Sequence, residues 1–190
     1  RGVGAFTARC ASAWLWLQRL AVVGGTIERE FLLLAFPDSA APEIDAILGK
    51  LTRDGWLTPA GARYRFARPA LREAIYRTLG SRRRKNLHAE AALALERLAK
   101  QSPRGGLGIQ RAFHLHAAGE HESLLELTPS LLRRAARAGR AGREYTLAVW
   151  ALEALEQLAT PAKHDPLRRE LLEAACDAAQ RLGRRREEAP

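Results

Sequence analysis

The chain has 190 residues, a net charge of +10, two cysteines and no methionine. That length suits one or two domains and can bury roughly two-thirds of the unfolded surface. Cys10 and Cys176 lie far apart without a CxxC partner, which argues against a disulfide framework or a zinc site. The apolar run from Trp14 to Val23, interrupted by Gln18 and Arg19, is too short to span a bilayer.

Along the chain, apolar residues fall at helical spacing from Ala11 to Val23, and Gly24-Gly25 stops them. Thr26 is placed to cap a second helix that carries Phe31 to Leu34 and ends at Phe36-Pro37-Asp38. Pro42 suits the first position of a third helix, in which Ile44, Ile47, Leu48 and Leu51 form a core stripe before Gly55. The period then alternates. Trp56-Leu57-Thr58, a turn at Pro59-Ala60-Gly61 and Arg63-Tyr64-Arg65-Phe66 predict a β-hairpin, with Tyr64 and Phe66 on one face and Arg63 and Arg65 on the other. Three helices followed by such a wing make a winged helix-turn-helix.

From Pro69 the pattern is helical throughout. One helix runs from Pro69 to near Gly80, and a long one from Arg82 to Lys100, capped by Ser81, has Leu87, Ala91, Leu95 and Leu98 as its buried stripe. The segment from Gln101 to Gly106 is turn chemistry. Further helices are expected over 107–118, 121–138 with a kink or break at Pro129, 141–159, and 166–182 with Asp165 as cap. Helices of similar length between Gly and Pro stops suit antiparallel pairs stacked into a solenoid with a repeat of about 34 to 40 residues. The fold class is therefore mainly α, with domains expected at 1–80 (winged helix) and 81–190 (helical, tetratricopeptide-like repeats).

Two phrases carry a resemblance. The first is Phe66-Ala67-Arg68-Pro69-Ala70-Leu71-Arg72-Glu73-Ala74-Ile75-Tyr76; the second is Arg83-Arg84-Lys85-Asn86-Leu87-His88, closing on Ala92-Leu93-Ala94-Leu95-Glu96. Together they resemble FRHPLLREAVY and RRxxLHxxxAxxLE of the bacterial STAND-type signalling ATPases, which include maltose-type and large LuxR-type activators and sensor-linked kinases. Ala112-Phe113-His114-Leu115-His116-Ala117-Ala118-Gly119-Glu120 is similar to the AxHxxxAGD phrase of their sensor repeats. The chain departs from the family where a usual His is Arg68 and a usual Leu is Ala70. The resemblance spans about residues 14–158. It implies a cytoplasmic fragment of a longer protein, with a P-loop domain upstream that binds ATP or ADP, and a winged helix joined to sensor repeats. It also implies that Arg68 could contact a nucleotide phosphate of that upstream domain, although pairing with a carboxylate such as Glu73 is an equal alternative.

The residues themselves offer no catalytic constellation. There is no GxxxxGK[ST] and no GxSxG elbow, and the clusters Gly2-Val3-Gly4, Gly24-Gly25 and Gly105-Gly106-Leu107-Gly108 do not follow buried strands. His114 and His116, two apart on a helix, point about 200° from each other and cannot chelate together. His88-Ala89-Glu90 lacks the PCxxC that an HxE zinc site needs. The fragment is thus expected to be no enzyme and to hold no cofactor or metal of its own.

Charge is more informative. Residues 1–59 carry six basic and six acidic side chains, whereas Ala60 to Lys100 carry eleven and three. Arg63 and Arg65 on the wing, with Arg82, Arg83, Arg84 and Lys85 in a helix first turn where the macrodipole disfavours cations, form a candidate anion or nucleic-acid surface. Tyr145 and Trp150 are candidate partner anchors within helices 107–159, the inner face of a solenoid. The leading expectation is a regulatory module that couples a protein partner or small-molecule inducer to an upstream nucleotide-binding domain. The alternatives are a DNA-binding winged-helix regulator, for which only nonspecific nucleic-acid affinity is expected, and a plain helical interaction scaffold. No membrane partner is expected.

Overall fold

The computed structural model describes residues 11–101, 107–158 and 165–187. It is mainly helical with a small three-stranded antiparallel sheet. Packing separates two compact units, Arg1–Arg104 and Gly105–Pro190. The expected Gly2-Val3-Gly4 loop, Cys10 and the loop residues 102–106 lie outside the described residues.

In the first unit, α1 (Ala11–Val23) buries Leu17, Leu20 and Ala21 completely. The second helix does not start at Thr26. Instead Ile27–Glu28 forms a strand, β1, which pairs with the later hairpin, and α2 (Arg29–Ala35) begins after it with Glu28 at its N-cap. The cause is tertiary: Ile27 is fully buried opposite Tyr64, and Glu28 meets Arg63 across the strands at 2.9 Å. Helix α3 (Ala41–Arg53) buries the expected stripe of Ile44, Ile47, Leu48 and Leu51. Gly55, at φ +75°, lets the chain leave α3 in a Schellman turn closed by the Trp56 amide on the Leu51 carbonyl at 2.9 Å.

Strands β2 (Leu57–Ala60) and β3 (Arg63–Phe66) form the hairpin, pairing Leu57 with Phe66 and Ala60 with Arg63. The sheet order β1-β3-β2 leaves β2 at an edge, where Pro59 costs no ladder hydrogen bond. Phe66 is buried, Tyr64 half-buried, and Arg63 and Arg65 exposed, as alternation requires.

Helix α4 (Pro69–Arg77) buries Ile75, and the long α5 (Ser81–Gln101) buries Leu87, His88, Ala91, Ala92, Ala94, Leu95 and Leu98. α5 packs on α1 and α2. For that reason the division expected after residue 80 falls instead after Arg104.

The second unit contains α6 (Leu107–Ala118), α7 (His121–Arg137), α8 (Ala141–Glu156) and α9 (Asp165–Glu187). Consecutive helices pack on each other, and turns of two or three residues between α6, α7 and α8 make these neighbours antiparallel. Gly119 (φ +80°) and Gly139 (φ +60°) build two more Schellman turns, with Glu120 donating to Leu115 and Arg140 to Ala135, each at 3.0 Å.

Pro129 does not break α7. It removes one amide from the ladder, while Leu124, Leu125, Thr128, Leu131, Leu132 and Ala135 are buried on both sides of it and hold the helix together. Alanine is frequent among the buried residues of the packed pair α8 and α9, with Ala148 and Ala151 on one and Ala175 and Ala178 on the other, and small side chains let backbones approach closely. α9 outruns the expected 166–182 at both ends, with Asp165 in its first turn rather than before it.

Two glycines separate backbone strain from packing. A Cβ added at Gly55 or at Gly142 would touch nothing within 4 Å, but only Gly55 has positive φ. Gly55→Ala should therefore destabilise the first unit by about 1 kcal/mol, and Gly142→Ala, within α8, should stabilise the second by about 0.5 kcal/mol. Urea unfolding followed by circular dichroism measures both, and equal signs would contradict this account.

Candidate functional site

The two family-like phrases meet in space. Tyr76 lies in the last turn of α4, Leu79 is buried in the short link behind it, and α5 then rises so that Arg84 and His88, one turn apart, face back onto Tyr76. The Tyr76 hydroxyl and His88 Nε2 are 2.9 Å apart, with the rings edge-on at 5.9 Å. Arg84 lies 4.6 Å over the Tyr76 ring and donates through Nη2 to the Leu79 carbonyl at 3.0 Å. On the same side of the helix link, Arg72 Nε donates to the Ala21 carbonyl at 2.9 Å, tying α4 to α1.

His88 is 1% exposed. Burial, reinforced by the charges of Arg84 and Arg72, lowers its pKa from 6.5 to about 4. The imidazole is neutral at physiological pH and enclosed, so it acts as a hydrogen-bonding core residue.

The cations proposed as one anion-facing cluster have separate surroundings. Successive residues on a helix turn by about 100°, so Arg82 to Lys85 fan around most of α5. Arg84 is committed to Tyr76 and Leu79, and Arg83 donates to Gln18 at 3.2 Å. Arg82 and Lys85 are exposed. Arg82 and Arg83 also line an open groove of about 500 Å³ at the start of α5, together with Asn86 and Glu90. On the wing Arg63 is engaged by Glu28, and Arg65 projects into solvent. Arg68 is exposed at the N-cap of α4. Its alternative partner Glu73 is held instead by Arg77, at 3.0 Å.

In the second unit Trp150 is half-buried and stacks on His116, with ring centroids 5.3 Å apart and 16° between planes; Phe113 lies 6.0 Å away. His116 Nε2 also reaches Glu153 at 3.5 Å, yet burial holds its pKa below 6.5 despite that carboxylate. His114 turns inward and is buried. Tyr145 is 43% exposed and stands about 140° around α8 from Trp150, so these two aromatics do not share one surface.

An ion pair on a buried carboxylate escaped the sequence pattern. Glu144 is 4% exposed between α8 and α9, and Arg181 Nη2 reaches its two carboxylate oxygens at 3.0 and 2.9 Å. The signal available was local: Glu144 is the one charged residue on the stripe of Ala141, Leu147, Ala148 and Ala151. Among the described residues no group of three or more His, Cys, Asp or Glu side chains could hold a metal, and no helix is long and apolar enough to cross a membrane.

The neutral state of His88 couples folding to pH. Its folded pKa lies below the unfolded value, so its contribution is complete above pH 6.5 and is lost as pH falls toward 4. At about 1.4 kcal/mol per pH unit the loss reaches about 3 kcal/mol. Denaturation free energies between pH 7 and 4 should show this slope, and His88→Gln should flatten it; a slope unchanged by the substitution would contradict the assignment. No protein-family model, curated protein or solved structure gave a significant match to this chain.

Proposed function

We propose that the chain is a regulatory module of a STAND-type signal-transduction ATPase: a winged helix followed by tetratricopeptide-like sensor repeats. In this role it couples a protein partner or small-molecule inducer to an upstream nucleotide-binding domain, in a cytoplasmic protein. Such a switch works by packing in two states and needs no catalytic residue of its own. The succession of helix, strand, two helices and hairpin in the first unit supports the winged-helix part. The antiparallel helices of the second support the repeat part.

One observation carries the nucleotide-domain coupling. Arg68, the position where the resemblance calls for a phosphate-facing His, is exposed, and the carboxylate that could have neutralised it is occupied by Arg77. A permanent, bidentate cation is thereby presented outward, suited to a phosphate from a neighbouring domain. In the longer protein that includes the nucleotide-binding domain, Arg68→Ala should speed ADP release several-fold and raise basal activity. An ADP off-rate equal to wild type would remove this role.

A DNA-reading function is less well supported. A helix-turn-helix reads bases through the outward face of its recognition helix. On α3 that face offers Glu43, Asp45, Lys50, Arg53 and Asp54; Asp45 is held by Arg29 in a two-pronged ion pair and Lys50 by Asp54 at 2.7 Å. Nucleic acid should bind only nonspecifically, through Arg65, Arg82, Lys85 and the more engaged Arg63, Arg83 and Arg84. The affinity should collapse by orders of magnitude between about 50 and 200 mM salt. Titration against random and genomic duplexes checks this, and a protected site that survives at the higher salt would establish a DNA reader.

A further inference from the structure

The turn between α7 and α8 carries positive charge that its own helices leave uncompensated. Residues 133–143 include five arginines and no acidic residue. Arg134 and Arg137 sit in the last turn of α7, where cations are favoured, but Arg140 is the N-cap of α8 and Arg143 lies in its first turn, where the helix dipole repels them. The next acid along the chain, Glu144, is committed to Arg181 of α9. Arg134, Arg137, Arg140 and Arg143 converge on an open cavity of about 670 Å³, with no carboxylate among the described residues that line it. Its floor is apolar, formed by Ile109 and Leu131. Gly108 keeps α6 close against that floor, since a Cβ there would come within 2.6 Å of Leu131 Cδ2.

The geometry points to a binding site for a small organic phosphate. Guanidinium forks match phosphate oxygens two at a time, and four of them call for a ligand with at least a double negative charge. The volume lies in the range of cavities that enclose small molecules, and the apolar floor suits the hydrocarbon or aromatic body of an ester. A nucleic-acid backbone would use the charge and leave the floor empty. The site stands on these residues alone and does not depend on the ATPase-coupled role proposed above.

Calorimetric titration of the 190-residue chain with 1-naphthyl phosphate tests it. Saturable one-to-one binding is expected with a Kd below about 1 mM, weakening as salt rises. The double variant Arg140→Gln/Arg143→Gln should raise the Kd at least about tenfold, while Arg82→Gln/Arg83→Gln leaves it unchanged. Arg143→Lys, which keeps the charge and loses the fork, should fall between them; it decides the matter if circular dichroism shows that the double variant has lost helix. Absence of saturable binding, wild-type affinity in the Arg140/Arg143 variants, or equal binding of uncharged 1-naphthalenemethanol would overturn the assignment. So would tighter binding of duplex DNA at the same residues, which would make this a nucleic-acid surface.

Discussion

The packing of α5 against α1 and α2 is the contact on which the first unit depends. Seven of its residues, from Leu87 to Leu98, are buried, and all but His88 are alanine or leucine. Each fully buried leucine contributes about 2 kcal/mol relative to exposure, so the seam outweighs any single polar contact near it. By fixing the azimuth of α5, it also decides that Arg84 and His88 face Tyr76 while Arg82 and Lys85 face solvent. The polar cluster is thus a consequence of apolar burial one to three turns further along the same helix.

Charge in this protein is divided between cations that hold the fold together and cations left for something else. Arg72 ties α4 to α1 through a carbonyl, Arg84 covers an aromatic ring, Arg63 bridges two strands, and Arg181 neutralises a buried carboxylate. Each of these arginines has its partner within its own unit. Arg68 and the four arginines around the cavity at the α7–α8 turn belong to the second group. The net charge of +10 therefore overstates the surface available to an anion, and its distribution matters more than its size.

The two units are built by different means. The first mixes large aliphatic side chains with an edge-on Trp16–Phe36 pair, centroids 5.3 Å apart, and Arg19 stacked over both rings. The second relies on alanine-lined helices and on glycine turns repeated between α6, α7 and α8. Small contact residues bring backbones together but give little shape with which to lock one arrangement. In a module proposed to respond to a partner or inducer, such a stack can shift by small sliding motions.

Most helix limits were legible in the sequence because their causes are local. Gly24, Gly55, Gly119 and Gly139 take up positive φ at helix ends that their neighbours already mark, and the expected spans 11–23 and 107–118 are reproduced. The alternation of residues 63–66 likewise announced the hairpin. What the tertiary structure alone decided were the pairings between distant residues. Ile27 and Glu28 are too few to show a period, and they become a strand only because Tyr64 and Arg63 offer an open edge. Thr26 offers a capping hydroxyl, but that pairing outweighs it. The run Arg82 to Lys85 reads as one patch along the chain and is fanned apart by the 100° turn of the helix. Conversely, Arg134, Arg137, Arg140 and Arg143 lie on two helices and read as scattered charge until the turn at Gly139 folds them around one cavity. Local signals set backbone conformation over a few residues, whereas the surroundings of a charge are set by whichever parts of the chain fold back upon it.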